Sequence, residues 1–136
     1  MTEAERFLRL LLRTCGTADL LAIGAVVMPY SWMNAIHQWL GMGWLPDEPI
    51  VGYLARSTSA FYAMLGGLAW VASFDLYRHR LILCYLGAAT IVFGLALLII
   101  DILEGMPQYW VVCEGPADTA LGVLILVLSR RLKRQG

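Results

Sequence analysis

Apolar residues run along this chain in four long stretches, and most polar residues fall between them. Stretches 57–74 and 81–100 hold no charge at all, the first of them bounded by Arg56 and Asp75. A helix needs about 20 mostly apolar residues, at about 1.5 Å each, to cross about 30 Å of hydrocarbon. Both stretches therefore predict transmembrane helices. Residues 7–28 carry Arg9, Arg13 and Asp19, and residues 109–129 carry Glu114 and Asp118. A soluble amphipathic helix would show charge along a whole face. Here the charges are few and apolar runs separate them, so these stretches read as spans too. The pattern predicts an all-α, four-helix transmembrane bundle, a single domain over residues 1–136, with spans near 7–28, 54–75, 81–102 and 108–130. A cleaved signal peptide needs a basic start and a small-x-small site. Glu3 and Glu5 beside Arg6, with no such site near Met28-Pro29, predict that the first span is retained.

The connection 29–52 is itself patterned. Trp32, Ile36, Trp39 and Leu40 share one helical face. Ser31 is the expected cap and Gly41 the expected end. A short amphipathic helix over about 31–40 is predicted to lie at the membrane interface or over the bundle. Trp32, Trp39 and Trp44 suit the headgroup level. Pro46 and Pro49, around Asp47-Glu48, turn the chain back into the second span.

Basic residues orient the spans. Arg6, Arg9 and Arg13 precede or open the first span. Arg78 and Arg80 separate the second and third, and Arg130, Arg131, Lys133 and Arg134 follow the fourth. With four spans these groups share one side, which predicts both termini in the cytoplasm. Residues 131–136 read as a basic tail against anionic lipid.

Composition sharpens the class. Hydrophobic residues make up 60% of the chain and charged residues 15%, and the mean hydropathy is +0.68. A soluble domain is nearer half apolar and a quarter charged. Ten basic residues balance ten acidic ones, so a basic nucleic-acid-binding domain is excluded and membrane lipids are the expected surroundings.

Small residues are expected where helices meet, because lipid offers no hydrophobic drive between them. The first span has Ala18, Ala22 and Ala25, the second Ser59, Ala63 and Gly67 with Gly66 adjacent. The third has Gly87, Thr90, Gly94 and Asp101, and the fourth Asp118 and Gly122.

A charge near the bilayer centre costs about 2.5 to 3.5 kcal/mol, which singles out Asp19, Arg56, Asp101, Glu114 and Asp118. Arg56 opens the second span from the outer side, where Asp101, Glu114 and Glu104 compete for it. That cluster reads either as a helix-locking ion pair or as a site for an anionic headgroup or carboxylate. Asp19 lies about 15 Å, and Asp118 about 18 Å, above the inner boundary by helix rise. Two carboxylates at one level would share a proton, as in a proton-linked carrier or cation site. The other reading is a single protonated Asp bonded to a neighbouring helix. Pro116 follows Glu114-Gly115 and predicts a break or kink in the fourth span, which frees the Val112 carbonyl. Broken helices with acids at the break mark transporter sites.

Other chemistry is sparse. His37 and His79 fall in connections on opposite sides, which excludes a haem sandwich. His37 is a candidate interfacial proton or metal ligand. Cys15, Cys84 and Cys113 form no C-x-x-C pair and read as small apolar residues. No phosphate loop, dinucleotide fingerprint, H-E-x-x-H or nucleophile elbow occurs. No cofactor or metal site is predicted.

Pro29-x-Ser31-Trp32, His37-x-Trp39-Leu40-Gly41, the segment from Tyr53 to Ser59 (Tyr-Leu-Ala-Arg-Ser-Thr-Ser) and Glu114-Gly115-Pro116 resemble segments of uncharacterised bacterial integral membrane proteins. In size and layout the whole chain resembles small four-helix membrane proteins of the DoxX-like kind. The resemblance implies the fold and no particular activity. Three functions follow as expectations: a non-enzymatic subunit or assembly partner, a proton- or cation-linked carrier or small-amphiphile-binding protein acting as a homo-oligomer, and, last, a lipid or quinone enzyme using His37 and Glu114.

Overall fold

A computed structural model describes residues 1–132. The basic tail expected over 131–136 falls mostly outside the described residues. Every regular element among them is helical: α1 (Glu3–Leu21), α2 (Ile23–Val27), α3 (Tyr30–Trp39), α4 (Pro49–Phe74), α5 (Arg80–Leu103) and α6 (Gln108–Arg131). Three helical stretches are long and apolar enough to cross a membrane: Glu3–Val27, Arg80–Leu103 and Gln108–Arg131. The chain divides into two compact units, residues 11–71 and residues 1–10 with 72–136.

In the unit of residues 11–71, α1 meets α4 through glycine. A Cβ added at Gly66 would stand 2.5 Å from the Gly16 carbonyl oxygen and 2.8 Å from Cβ of Asp19. The close approach therefore uses Gly16 and Gly66, not the Ala18 and Gly67 of the expected stripes. Ala18 is exposed, and a Cβ on Gly67 would meet nothing within 4 Å. Trp70 closes the contact from α4. Its indole N–H donates to the Thr17 hydroxyl at 3.0 Å, and the Arg13 guanidinium lies 5.1 Å from the centre of the ring system. After Leu21 the helix tightens: the Ala22 N–H bonds to the Asp19 carbonyl, and Ala25 to Ala22, each three residues back.

α3 forms where the tryptophan pattern predicted it. Its N-cap is Pro29, not Ser31, and no side chain caps it. Proline suits this place because it lacks the N–H that would be left unbonded. At the other end Gly41 adopts φ +77. The Gly41 N–H bonds to the Gln38 carbonyl and Met42 to His37, a Schellman closure. One polar face then folds the following segment back. The Tyr30 hydroxyl is shared between the Leu45 and Pro46 carbonyls, Asn34 accepts the Leu45 N–H at 2.9 Å, and His37 Nδ1 lies 2.9 Å from the Gly43 carbonyl oxygen. These side chains sit at i, i+4 and i+7. The opposite side, with Trp32, Ile36 and Trp39, stays exposed. α4 starts at Pro49, five residues before the predicted span, with proline in the first turn.

The other unit is organised around α5 and α6, which are joined by a four-residue connection. Gly105, at φ +68, makes a second Schellman closure: its N–H bonds to Ile102 and that of Met106 to Asp101. The seam repeats every seven residues. Arg80, Gly87, Gly94 and Asp101 lie on α5, and Gly115, Gly122 and Ser129 lie on α6. Gly87 faces Gly122, and Gly94 faces Gly115. Arg80 donates from Nε to the Ser129 carbonyl and from Nη2 to that of Arg130, both at 3.2 Å, closing the C-terminus of α6. A seven-residue repeat keeps such positions on one seam, as in coiled coils.

α6 runs unbroken from Gln108 to Arg131 with Pro116 inside it. Of the break or kink expected at Pro116, the break is absent. Neighbouring groups commonly accommodate proline within helices of this kind, so a broken-helix site is not formed here.

At its start α1 carries a capping box. The Glu5 N–H bonds to the Thr2 hydroxyl, and the Thr2 N–H to the Glu5 carboxylate. Glu5 is buried, and its second oxygen accepts the Tyr77 hydroxyl proton.

Candidate functional site

Asp101, Glu114 and Asp118 share the α5–α6 unit. Asp101 occupies the last seam position of α5. It is only 3% exposed, and its buried Oδ2 has no hydrogen-bond partner. A buried polar atom without a partner calls for an explanation, because the desolvation cost stands uncompensated. Glu114 and Asp118 sit one turn apart on α6, beside the glycine seam, and each is half-buried. The Trp110 indole N–H, one turn earlier, donates to Glu114 Oε2 at 2.7 Å. Trp110 is itself braced edge-to-face by Tyr109, with centroids 6.3 Å apart. Asp101 and Asp118 both lie within electrostatic reach of Glu114. The unit thus holds three carboxylates, Asp101 near the end of α5 and Glu114 and Asp118 in the first half of α6. Among the described residues no group of three His, Cys, Asp or Glu side chains is arranged to hold a metal ion.

The remaining expected site residues belong to residues 11–71. Asp19 abuts Gly66. Arg56 donates from Nη2 to the Met28 carbonyl at 3.2 Å, closing the end of α2. A carbonyl was not among the partners expected for it. His37 is drawn into local structure: since Gly43 offers only an acceptor, Nδ1 carries the proton and only Nε2 faces other chemistry. The expected clusters of Arg56 with Asp101 and Glu114, and of Asp19 with Asp118, each draw on both units.

Sequence reasoning missed Trp110, Trp70 and Glu5. The i, i+4 spacing of Trp110 and Glu114 was the available signal for the first. Thr2-x-x-Glu5 before an apolar run was the signal for the last. Cys15, Cys84 and Cys113 are not joined in a disulfide among the described residues.

No protein-family model, curated protein or solved structure matches the chain.

Proposed function

We propose that the chain is a small polytopic protein of a bacterial inner membrane, non-enzymatic, acting as a subunit or assembly partner of a larger complex. In this reading it crosses the bilayer four times in a DoxX-like layout, with both termini cytoplasmic. The supporting observation is an inversion of side-chain size on α5 and α6. Glycine fills the seam, while Leu81, Tyr85, Val92, Ile99 and Leu103 stand exposed. A water-soluble helix pair would bury those side chains, whereas lipid or a partner helix accepts them. α4, with 26 residues, has the length for the fourth crossing. Ser57, Thr58, Ser59 and Tyr62 dilute its hydropathy. Trp32, Trp39 and Trp44 would anchor α3 and its following segment at the outer headgroups. Crosslinking in cells, followed by gentle extraction and native mass spectrometry, tests the reading. A defined hetero-complex supports it. A lone monomer with no crosslinked partner overturns it.

The Asp101 oxygen without a partner favours a second reading, a homo-oligomeric carrier that passes a proton or small cation through Asp101, Glu114 and Asp118. Asp118→Asn would then abolish ion-coupled flux in proteoliposomes and leave the fold intact. Unchanged flux would remove these acids from any transport role.

A further inference from the structure

A cavity of about 720 Å³ lies where α5 begins and α6 ends, lined by Asp75, Tyr77, Arg78, Arg80 and Leu132. Its volume is in the range of small-molecule sites. Its polar groups are unevenly committed. The Tyr77 hydroxyl is given to Glu5. The Asp75 carboxylate, the one acid among the described lining residues, accepts the Arg78 backbone N–H at 2.9 Å and so closes the turn before α5. Arg80 is held by two bonds to carbonyls, which fix its guanidinium without neutralising it. Among the described residues neither Arg78 nor Arg80 is paired with a carboxylate. Two further nitrogens of the same unit, Arg9 Nε and His79 Nδ1, are buried without a hydrogen-bond partner. His79 stands between the two arginines in sequence.

We propose that this cavity binds a phosphate group, and that its source is the headgroup of an anionic phospholipid. Two guanidiniums, one of them fixed in place, match the fork geometry that phosphate oxygens accept. Leu132 supplies an apolar wall, and Leu81 and Tyr85 stand exposed on the adjoining first turns of α5, where acyl chains would run. Basic pockets at the ends of apolar helices recognise anionic headgroups in this way. The lipid source rests on the membrane reading above, whereas the phosphate site does not.

The test uses the full chain, delipidated in neutral detergent. Native mass spectrometry follows titration with phosphatidylglycerol, phosphatidylcholine or inorganic phosphate. One equivalent of phosphatidylglycerol is expected to bind at least about tenfold more tightly than phosphatidylcholine, the size of one charge-assisted contact. Arg78→Gln should erase that preference and Arg78→Lys should keep most of it. Circular dichroism checks the fold of both variants. Stoichiometric inorganic phosphate that displaces the lipid would keep the site and make free phosphate its source. Phosphate binding by a protein that fails to enter bilayers would sink the membrane reading and leave the site standing. Equal binding of both lipids, or a preference that survives Arg78→Gln, overturns the proposal.

Discussion

Gly94 and Gly115 face each other so closely that a methyl group on either would stand 2.7 Å from the other's carbonyl oxygen. Both obstacles are backbone, so neither helix can yield by rotating a side chain. Gly94→Ala, whose Cβ would also come within 2.5 Å of the Thr119 nitrogen, should destabilise the protein by about 1 to 3 kcal/mol. Gly67→Ala meets nothing within 4 Å and should be neutral or mildly stabilising. Thermal unfolding of both variants in one detergent compares them. Equal melting temperatures would contradict the seam.

Tyr77 predicts a response to alkali. Its hydrogen bond to Glu5, then burial, then the Glu5 charge push the phenol above the usual tyrosine range. The folded state therefore holds this proton more tightly than the unfolded state, whose phenol titrates near about 10. The stabilisation is complete below that pH and is lost as pH rises through the higher folded value. Melting temperature followed from neutral to strongly alkaline pH should fall more steeply for the natural chain than for Tyr77→Phe. Parallel curves would show that the bond contributes nothing.

Asn34 and His37 hold the segment after α3 and nothing else that the structure records for them. Asn34→Ala with His37→Ala should speed amide exchange over residues 41–46 severalfold and leave α5 and α6 protected. Exchange that rises across the whole chain would mean that α3 supports more than its own closure.

Trp70 joins α4 to α1 by a hydrogen bond and a stacked cation. Trp70→Phe keeps a ring under Arg13 and removes the donor to Thr17, so it should cost about 0.5 to 1.5 kcal/mol. Trp70→Leu removes both and should cost more. If the two variants unfold alike, the Arg13 contact adds little.

Helix positions were legible because apolar runs of membrane length leave few alternatives. Gly41 was legible as a stop because a left-handed residue is needed there. The residues that close helix ends were harder to read. Arg56 was expected to seek a carboxylate, but its recorded partner is the Met28 carbonyl. Arg80 likewise gives its Nε and one Nη2 donor to the Ser129 and Arg130 carbonyls. Such bonds depend on where the chain path ends in space, and residue type does not encode that. Gly115 was read beside Pro116 as part of a break, when its role is contact with Gly94. Its partner lies on another helix, and the register between helices is invisible along one chain. For the acids, the one-turn spacing of Glu114 and Asp118 was readable, but the burial of Asp101 depends on its seam position.

The seven-residue spacing of the seam has a consequence for uniqueness. Sliding α6 along α5 by one repeat, about 10.5 Å, would set glycine against glycine once more. Such a slide keeps one of the two glycine pairs and loses the other, so packing favours the observed alignment by a single close contact. The alignment is fixed further at the two ends. A four-residue connection closed by Gly105 is too short to permit such a slip, and Arg80 finds the terminal carbonyls of α6 in only one frame. Lengthening the 104–107 connection should thus do more than loosen a turn: it would let a second, shifted pairing compete with the first.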